Sequence, residues 1–358
     1  MTLSQKNYYP ALTGFRALSA FLVFFHHANP FSPEGWQRNL YLFVNEFHVG
    51  VSFFFVLSGF LIYSRYNDSI LHSKKLFLSY LQNRFARIYP LYFLLTTLTF
   101  IVLWTRSKTE FSGESIFVYF TNITLLKGLF NDLKFSGIAQ GWSLTVEECF
   151  YFFAPLLFLW WNKIKLLVPF VLLALGSLLV LSFRSVDFYG FFSDFHFMMI
   201  YTFFGRCFEF FIGIALAQHL KDQNRTAGSW PMTYLGLIGI LLTIGGLSYL
   251  GENGNSGLEH PAGIVLNNFI LPVMIVLFIY GLIKENTWIN KLLSSAIAQV
   301  LGKSSYAFYL IHAGIFYSAL YHFVTTNTLL IFLLLNILSV GIYYLIEKPL
   351  HERWSAQK

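Results

Sequence analysis

Charged residues are scarce in this chain, since only 11% of its 358 residues are Asp, Glu, Lys or Arg. A water-soluble domain carries about 25%, so the composition excludes an ordinary soluble protein. Hydrophobic residues make up 56% of the chain, and phenylalanine alone contributes 42 residues. This composition indicates an integral membrane protein that crosses the bilayer several times.

The chain also has little cysteine and none of several familiar enzyme motifs. Its two cysteines, Cys149 and Cys207, lie inside apolar runs, which favours a packing role over a disulfide or a metal site. There is no phosphate-binding glycine loop, zinc-ligand spacing or nucleophile elbow. We therefore expect no metal and no permanently bound cofactor. The excess of 24 Lys and Arg over 17 Asp and Glu predicts membrane orientation rather than nucleic-acid binding.

Apolar runs of about 17–22 residues are long enough to cross a hydrocarbon core about 30 Å thick. Ten such runs follow one another closely, with no repeat and no soluble domain between them. We predict an all-α polytopic membrane protein in which residues 1–358 form a single transmembrane domain. The predicted spans are 10–29, 48–65, 89–105, 142–161, 165–183, 198–219, 231–250, 262–283, 304–323 and 328–346.

Basic residues are distributed unequally between the two sides of this arrangement. With the N-terminus in the cytoplasm, sixteen Lys and Arg fall on the cytoplasmic side and six on the other, leaving Arg16 and Arg206 within spans. The positive-inside rule then places both termini in the cytoplasm, which agrees with an even number of spans.

The first span, "TGFRALSAFLVFFHHANP" (13–30), carries an arginine and two adjacent histidines. On a helix, Arg16 and His27 point the same way within about 20° and lie about 16 Å apart, while His26 is rotated from them by about 80–100°. Snorkelling toward the two membrane surfaces explains both residues. An ionisable residue within a span nevertheless indicates a functional site, and the shared face suits one extended ligand.

Three more ionisable residues belong to this hypothesis. Glu147 is predicted to lie at the depth of His27, where it would orient the imidazole and raise its basicity, although a structural pairing with an Arg or Trp is equally compatible. Arg84 and Arg87 lie three apart on a short helix predicted to stop near Pro90. Paired guanidiniums suit phosphate, but ordinary positive-inside charge explains this motif alone more simply.

Two other features have simpler explanations. His312 is predicted in the middle of the ninth span, where a hydrogen bond to a neighbour is as good an explanation as a functional role. Ser58 and Gly59 form a small-residue notch, which favours close helix packing.

Seven segments in this order resemble the membrane-bound acyltransferase-3 family over essentially the whole chain. One departure is Ser52 in "HVGVSFFF", where the family pattern leads us to expect an acidic residue. The matching segments are Arg16 followed by His27, "FFFVLSGFLI" (53–62), "RFARIYPLYF" (84–93), "WSLTVEECFYFFAP" (142–155), "RCFEFFIG" (206–213), "SYAFYLIH" (305–312) and "IEKP" (346–349).

The resemblance implies a bacterial inner-membrane (cytoplasmic-membrane) protein with ten core spans. Such a protein would move an acyl group, usually acetyl, from cytoplasmic acyl-CoA to an extracytoplasmic sugar hydroxyl. We expect lipopolysaccharide O-antigen as the acceptor, with exopolysaccharide, peptidoglycan or a small molecule as alternatives. Many relatives add a C-terminal soluble domain, whereas this sequence ends at Lys358. We therefore expect a stand-alone form that completes the transfer itself or uses a separate partner.

The family's functional positions match residues of this chain. Its Arg and His correspond to Arg16 and His27, its Arg-x-x-Arg to Arg84 and Arg87, and the acid of Trp-Ser-Leu-x-x-x-Glu to Glu147. We expect His27, Glu147 and Arg16 to be catalytic. Arg84 and Arg87 would hold the acyl-CoA phosphates, with Arg16 along the channel. His27 would act as a general base, although a covalent acyl-histidine is an alternative.

Acceptor binding is assigned to Trp142, Ser143 and His312. Exterior aromatics such as Trp142 could stack on a sugar, but an interfacial aromatic belt explains them equally well. The expected partners are acetyl-CoA as co-substrate, a lipid-linked glycan and membrane lipid, without nucleic acid. Assembly into a homo-oligomer is compatible with the sequence. Two rival functions are a polysaccharide or lipid transporter, whose buried ionisable groups would couple protons, and a noncatalytic membrane scaffold.

Overall fold

The computed structural model describes residues 8–67, 73–107, 112–164, 167–222, 231–251 and 255–356. Across these ranges the chain is helical and contains no strand, only an isolated bridge between Phe130 and Phe191. The prediction of an all-α fold is therefore confirmed. The helices are α1 (Pro10–His27), α2 (Arg38–Asn45), α3 (Gly50–Tyr66), α4 (Lys74–Ser107), α5 (Gly113–Ile123), α6 (Trp142–Ile164), α7 (Leu167–Phe183), α8 (Phe195–Tyr201), α9 (Phe203–Asp222), α10 (Met232–Leu250), α11 (Pro261–Val265), α12 (Leu271–Lys284), α13 (Trp288–Leu293), α14 (Ala296–Ile311), α15 (Ile315–Phe323), α16 (Thr328–Ile342) and α17 (Lys348–Trp354).

Six helical segments in the described ranges are long and apolar enough to cross a membrane, which supports a multi-pass membrane protein. The apolar helix α7 is shorter, at 17 residues. The count of ten spans and the cytoplasmic position of both termini stay predictions. The six segments are Gly35–Tyr66, Lys74–Thr105, Phe195–Lys221, Met232–Leu250, Pro261–Lys284 and Thr328–Trp354.

Four predicted spans coincide closely with single helices, namely α1, α3, α6 and α10. The predicted span 165–183 corresponds to α7, although residues 165 and 166 lie outside the described ranges. Apolar runs of this length therefore located these helices well.

The third predicted span needs a correction, because α4 begins at Lys74 and runs through Pro90 without stopping. Within a membrane, neighbouring groups can bind the carbonyls that a proline leaves without a helical donor. Pro90 removes the helical donor to the Ala86 carbonyl, and α4 nevertheless continues past it. One turn away, the Tyr306 hydroxyl donates to the Ile88 carbonyl at 2.8 Å. Arg84 and Arg87 consequently lie on the same long helix as the third apolar run.

The ninth predicted span is also not one helix. It is divided between α14 and α15, and the connection contains Gly314 at φ +79°, a backbone conformation that favours glycine. His312 therefore lies at a helix break rather than mid-helix. The sixth predicted span is divided in the same way at Thr202, between α8 and α9.

The chain comprises two compact units, of which the first contains Met1–Asp68 and Glu209–Ser305. Close backbone approaches hold its helices together: a Cβ on Gly59 would lie 2.1 Å from the Phe210 carbonyl oxygen, and one on Gly14 would lie 2.1 Å from the Leu293 carbonyl oxygen. The first of these contacts confirms the packing role predicted for the Ser58–Gly59 notch.

The second unit contains Ser69–Phe208 and Tyr306–Lys358. Polar contacts connect distant parts of its sequence. Tyr80 donates its hydroxyl proton to the Tyr151 carbonyl at 2.9 Å, and Gln82 Nε2 donates to the Trp354 carbonyl at 3.0 Å. These contacts join α4 to α6 and to α17.

Candidate active site

The first helix carries Arg16 and His27 without interruption. Pro10 occupies its first turn, where a fixed φ and a missing N–H cost nothing, and the helix ends at His27. Eleven residues of continuous α-helix separate the Cα atoms of Arg16 and His27 by about 16 Å along the axis. The Arg16 side chain is half-buried.

The orientation of the His27 ring determines which of its nitrogens can accept a proton. Its Nδ1 lies 2.8 Å from the Val23 carbonyl oxygen, one turn earlier on α1. A carbonyl only accepts hydrogen bonds, so Nδ1 carries the proton and Nε2 of the neutral ring carries the lone pair. The side chain is exposed at the end of the helix. This arrangement suits a general base that acts through Nε2.

His26 has different surroundings. Its Nδ1 lies 2.5 Å from the Asn45 carbonyl oxygen at the end of α2, and the side chain is half-buried. The His26 and His27 rings meet edge to face, with centroids 4.9 Å apart. His26 is thus tied to α2, whereas His27 is tied to its own helix.

A buried carboxylate lies beside these imidazoles in the first unit. Glu46 is 1% exposed and accepts hydrogen bonds from His48 Nε2 at 2.8 Å, Ser256 Oγ at 3.0 Å and the Gly257 N–H at 2.8 Å. We name these four residues the Glu46 cluster. The His48 ring meets the His26 ring edge to face at 5.5 Å.

Sequence reasoning missed the Glu46 cluster. The only local signal is an acid and a histidine two residues apart, at the start of the second predicted span. Ser256 is 210 residues from Glu46, and nothing in the sequence joins them.

In the second unit, one face of α6 carries Ser143, Glu147 and Tyr151, each one turn from the next. The Tyr151 hydroxyl donates to the Glu147 carboxylate. The guanidinium carbon of Arg84 lies 5.6 Å from the centre of the Tyr151 ring. Glu147 therefore has a hydroxyl donor on its own helix. Its predicted pairing with His27, a residue of the first unit, stays a prediction.

The residues predicted to bind the acceptor are partly brought together around Tyr309. Ser143 Oγ lies 2.7 Å from the Tyr309 hydroxyl, and His312 Nδ1 donates to the Tyr309 carbonyl at 2.8 Å. Gln140 Nε2 donates to the same carbonyl at 2.8 Å. Trp142 is not part of this network, and its ring contacts Tyr201 instead, at 4.9 Å.

One member of the pair predicted to bind phosphate forms an ion pair. Arg87 Nη1 lies 2.7 Å from Glu347 Oε1, and the Glu347 side chain is buried. This ion pair joins the segments "RFARIYP" and "IEKP", whose connection the sequence did not predict. Arg84 lies three residues earlier on the same helix.

The comparison with known families decides the identity of this arrangement. A family model described as an acyltransferase domain matches residues 9–348. The chain belongs to the acyltransferase-3 family. This confirms the resemblance inferred from the seven segments.

This acyltransferase is similar to several curated proteins of Staphylococcus aureus. It is 22% identical over 333 residues to "Putative O-acetyltransferase" of strain COL, a match that covers 87% of this chain and 51% of that protein. It is 26% identical over 199 residues to O-acetyltransferase OatA of strain NCTC 8325, covering 51% of this chain and 31% of OatA. The chain spans about half the length of the first of these relatives. No solved structure matches it.

One further group in this acyltransferase lies near the "WSL" motif, outside the predicted spans. Lys127 is fully buried, and its Nζ donates to the Ser136 carbonyl at 2.6 Å and the Ile138 carbonyl at 2.5 Å. Burial lowers the pKa of Lys127 to about 7. A Cβ on Gly141 would lie 3.0 Å from Lys127 Cε, so this glycine lets the lysine side chain approach the backbone just before α6.

In the ranges that the structure describes, no three His, Cys, Asp or Glu residues are grouped so that they could hold a metal ion. The candidate residues described above offer imidazole, carboxylate, hydroxyl and guanidinium groups.

Proposed function

We propose that this protein transfers an acetyl group from cytoplasmic acetyl-CoA to a sugar hydroxyl of an extracytoplasmic glycan. Lipid-linked lipopolysaccharide O-antigen is the acceptor that we favour. Membership of the acyltransferase-3 family over residues 9–348 supports acyl transfer, and the names of the relatives support an O-linked acetyl product. The distribution of basic residues supports a cytoplasmic donor side in a bacterial inner membrane.

The observation that carries this proposal is the state of His27. Its Nδ1–H is held by the Val23 carbonyl, which leaves the lone pair on Nε2 of an exposed imidazole. An imidazole in this state can take a proton from a hydroxyl that it contacts.

The proposed step proceeds by direct attack. His27 Nε2 takes the proton of the sugar hydroxyl while that oxygen attacks the thioester carbonyl carbon. The carbon–sulfur bond breaks, the CoA thiolate leaves, and the imidazolium returns its proton to the sulfur. The products are an O-acetylated sugar and CoA, with no change in net charge. General-base help of this kind contributes about 10²–10⁴-fold.

In our proposal the acetyl-CoA donor is long enough to extend from the cytoplasmic side of the membrane toward the outer side. Its phosphorylated nucleotide cannot enter lipid, whereas its thin pantetheine arm can pass between helices. In our proposal Arg84 and Arg87 bind phosphate on the cytoplasmic side and Arg16 lies beside the arm. The thioester then reaches His27, about 16 Å along α1 from Arg16.

Other residues would orient the reacting groups. Glu147, whose carboxylate accepts the Tyr151 hydroxyl, would complete the catalytic set with His27. Trp142, Ser143 and His312 would contact the acceptor, with Ser143 and His312 positioned through Tyr309.

The test uses the purified full chain with acetyl-CoA and a glycan acceptor. We expect CoA release that depends on acceptor, together with an acetyl mass increase on the glycan. Movement of glycan without CoA release would instead support the transporter. Mass spectrometry of surface polysaccharide from cells with and without the protein then identifies the acceptor. A polysaccharide unchanged in mass would overturn the proposal, and full function of His27→Ala would favour the scaffold.

A further inference from the structure

An open surface groove of about 580 Å³ lies in the first unit between α2 and α10. This volume is within the range of about 300–1,000 Å³ that is typical of small-molecule sites. The lining residues have helical spacings, so each helix contributes one face. From α2 these are Arg38, Asn39 and Leu42, and from α10 they are Gly245, Ser248 and Tyr249. We name this surface groove the α2–α10 groove.

The groove has the chemistry of a carbohydrate site. Arg38 supplies hydrogen-bond donors, while Asn39 and Ser248 both donate and accept, as sugar hydroxyls do. Tyr249 is 89% exposed and presents a flat ring on which the C–H face of a sugar can pack. Leu42 is the one aliphatic side chain in the lining, so an apolar ligand would leave most of these polar groups unsatisfied.

The groove ends next to Glu46. Gly251 also lines it, and a Cβ at Gly251 would lie 3.5 Å from Glu46 Oε1. The Glu46 cluster contacts His26 through the His48 ring, and His26 contacts His27. A ligand in the groove is therefore separated from His27 by a short series of side chains within one unit.

We propose that the α2–α10 groove binds the glycan acceptor through a sugar unit next to the one that is acetylated. This inference rests on the proposed function and assigns its acceptor site. It places that site on α2 and α10 of the first unit. The charge count puts Arg38 on the extracytoplasmic side, where such a glycan would arrive.

Substitution of a glycine that lines the groove is the most direct test of this assignment. A Cβ on Gly245 meets no atom within 4 Å, so Gly245→Leu puts a side chain into the groove from open space. Gly341 on α16 has equally open surroundings, and Gly341→Leu is the matched control. Both changes also raise helix propensity, so neither should prevent folding. Tyr249→Leu removes the ring, whereas Tyr249→Phe keeps it.

Binding is measured first without acyl transfer. Full-length protein in detergent is mixed with methyl glycosides of glucose, galactose, mannose, rhamnose and N-acetylglucosamine, and contact is read by saturation-transfer NMR. We expect signals for at least one glycoside with the wild type and Gly341→Leu, and loss of those signals with Gly245→Leu. Tyr249→Phe should retain more signal than Tyr249→Leu.

Transfer to the glycoside that binds is measured next. Gly245→Leu should raise the acceptor KM at least about tenfold and leave the acetyl-CoA KM unchanged. Equal binding and equal acceptor KM in Gly245→Leu and wild type would overturn the groove assignment, even if transfer occurs. In another outcome, Gly245→Leu blocks glycoside binding but the wild type transfers no acetyl group. That result would support the groove and overturn the proposed function. Absence of binding to every glycoside by the wild type would count against the groove.

Discussion

Glu46 Oε2 lies 2.8 Å from His48 Nε2, and the His48 ring meets the edge of His26 beside the candidate base. The Glu46 side chain is almost fully buried, and its carboxyl oxygens accept hydrogen bonds from three donors. Because Glu46 Oε2 accepts from His48 Nε2, it fixes the Nε2–H form of His48 and the orientation of that ring. We infer that Glu46 positions the histidines at the end of α1.

Glu46→Gln should therefore lower kcat by no more than His26→Ala does, about two- to threefold, while leaving the acetyl-CoA KM unchanged. The amide keeps the size of the side chain but places an N–H₂ group among donors, so the His48 ring loses its fixed position. The measurement is steady-state acceptor acetylation at matched protein levels. The control is Glu259→Gln, at an exposed acid in the short turn that follows Ser256. A Glu46→Gln protein that loses donor binding and stability together, with kcat retained, would reduce Glu46 to a structural role.

The two adjacent histidines should differ in their importance for transfer. We expect His27→Ala to abolish acceptor acetylation, because it removes the nitrogen that takes the proton. His26→Ala should retain much of the activity, since His26 is tied to the Asn45 carbonyl. The measurement is acceptor mass increase with protein level controlled. An essential His26 combined with a dispensable His27 would show that the wrong imidazole has been chosen.

Sequence reasoning reached the parts of this molecule that depend on local pattern. Runs of apolar residues located α1, α3, α6 and α10, and the spacing of Arg16 and His27 put both on one helix. Sequence reasoning failed where contacts between distant residues determine the structure. The stop expected at Pro90 did not occur in α4. The bond from the Tyr306 hydroxyl to the Ile88 carbonyl, 218 residues apart, also has no local signal.

In the candidate site, too, residues in local motifs could be predicted, whereas contacts between distant residues could not. The motif positions Ser143 and His312 could be found from their types and spacing, but their common partner Tyr309 is identified only by contact. The Glu46 cluster needs Ser256, and the Arg87 ion pair needs Glu347, 260 residues away. Such pairs are set by packing, which a single sequence does not encode in any local pattern.

The arginines of α4 should affect the donor through its nucleotide end. Replacing Arg84 and Arg87 together by Lys keeps the charge but loses the forked geometry that matches phosphate oxygens. We expect acetyl-CoA binding to weaken by about 1–3 kcal/mol. Acetyl-pantetheine, which lacks the nucleotide, should bind both proteins equally. Cysteine accessibility should show the same membrane orientation.

The Arg87 ion pair requires its own control in this experiment. Glu347→Gln keeps both arginines and removes only the carboxylate partner of Arg87. If Glu347→Gln alone weakened acetyl-CoA binding as much as the double Lys variant, the arginines would act by holding α4 in place. Equal weakening for acetyl-CoA and acetyl-pantetheine would also count against a phosphate site.

The last prediction concerns Lys127, whose buried ammonium holds the segment that leads into α6. Its two bonds to the Ser136 and Ile138 carbonyls are lost in Lys127→Met, which leaves both carbonyls without that donor. We expect the variant to be less stable by about 1–3 kcal/mol at pH 9. At that pH most of the folded lysine is neutral, and an amine still has two protons to donate.

The stability difference should also depend on pH with a definite sign. The folded-state pKa of Lys127 is about 7, below the ordinary value of 10.5, so between these values the unfolded state binds more protons. Stability conferred by Lys127 must then rise with pH, by up to about 1.4 kcal/mol per pH unit. Thermal midpoints of wild type and Lys127→Met, measured from pH 7 to pH 9.5, should therefore diverge in favour of the wild type. Lys291→Met, at an exposed lysine, corrects for general effects of pH on the solubilised protein. A difference that stays constant or shrinks over this range would mean that Lys127 remains charged in the fold and that its carbonyl contacts outweigh its burial.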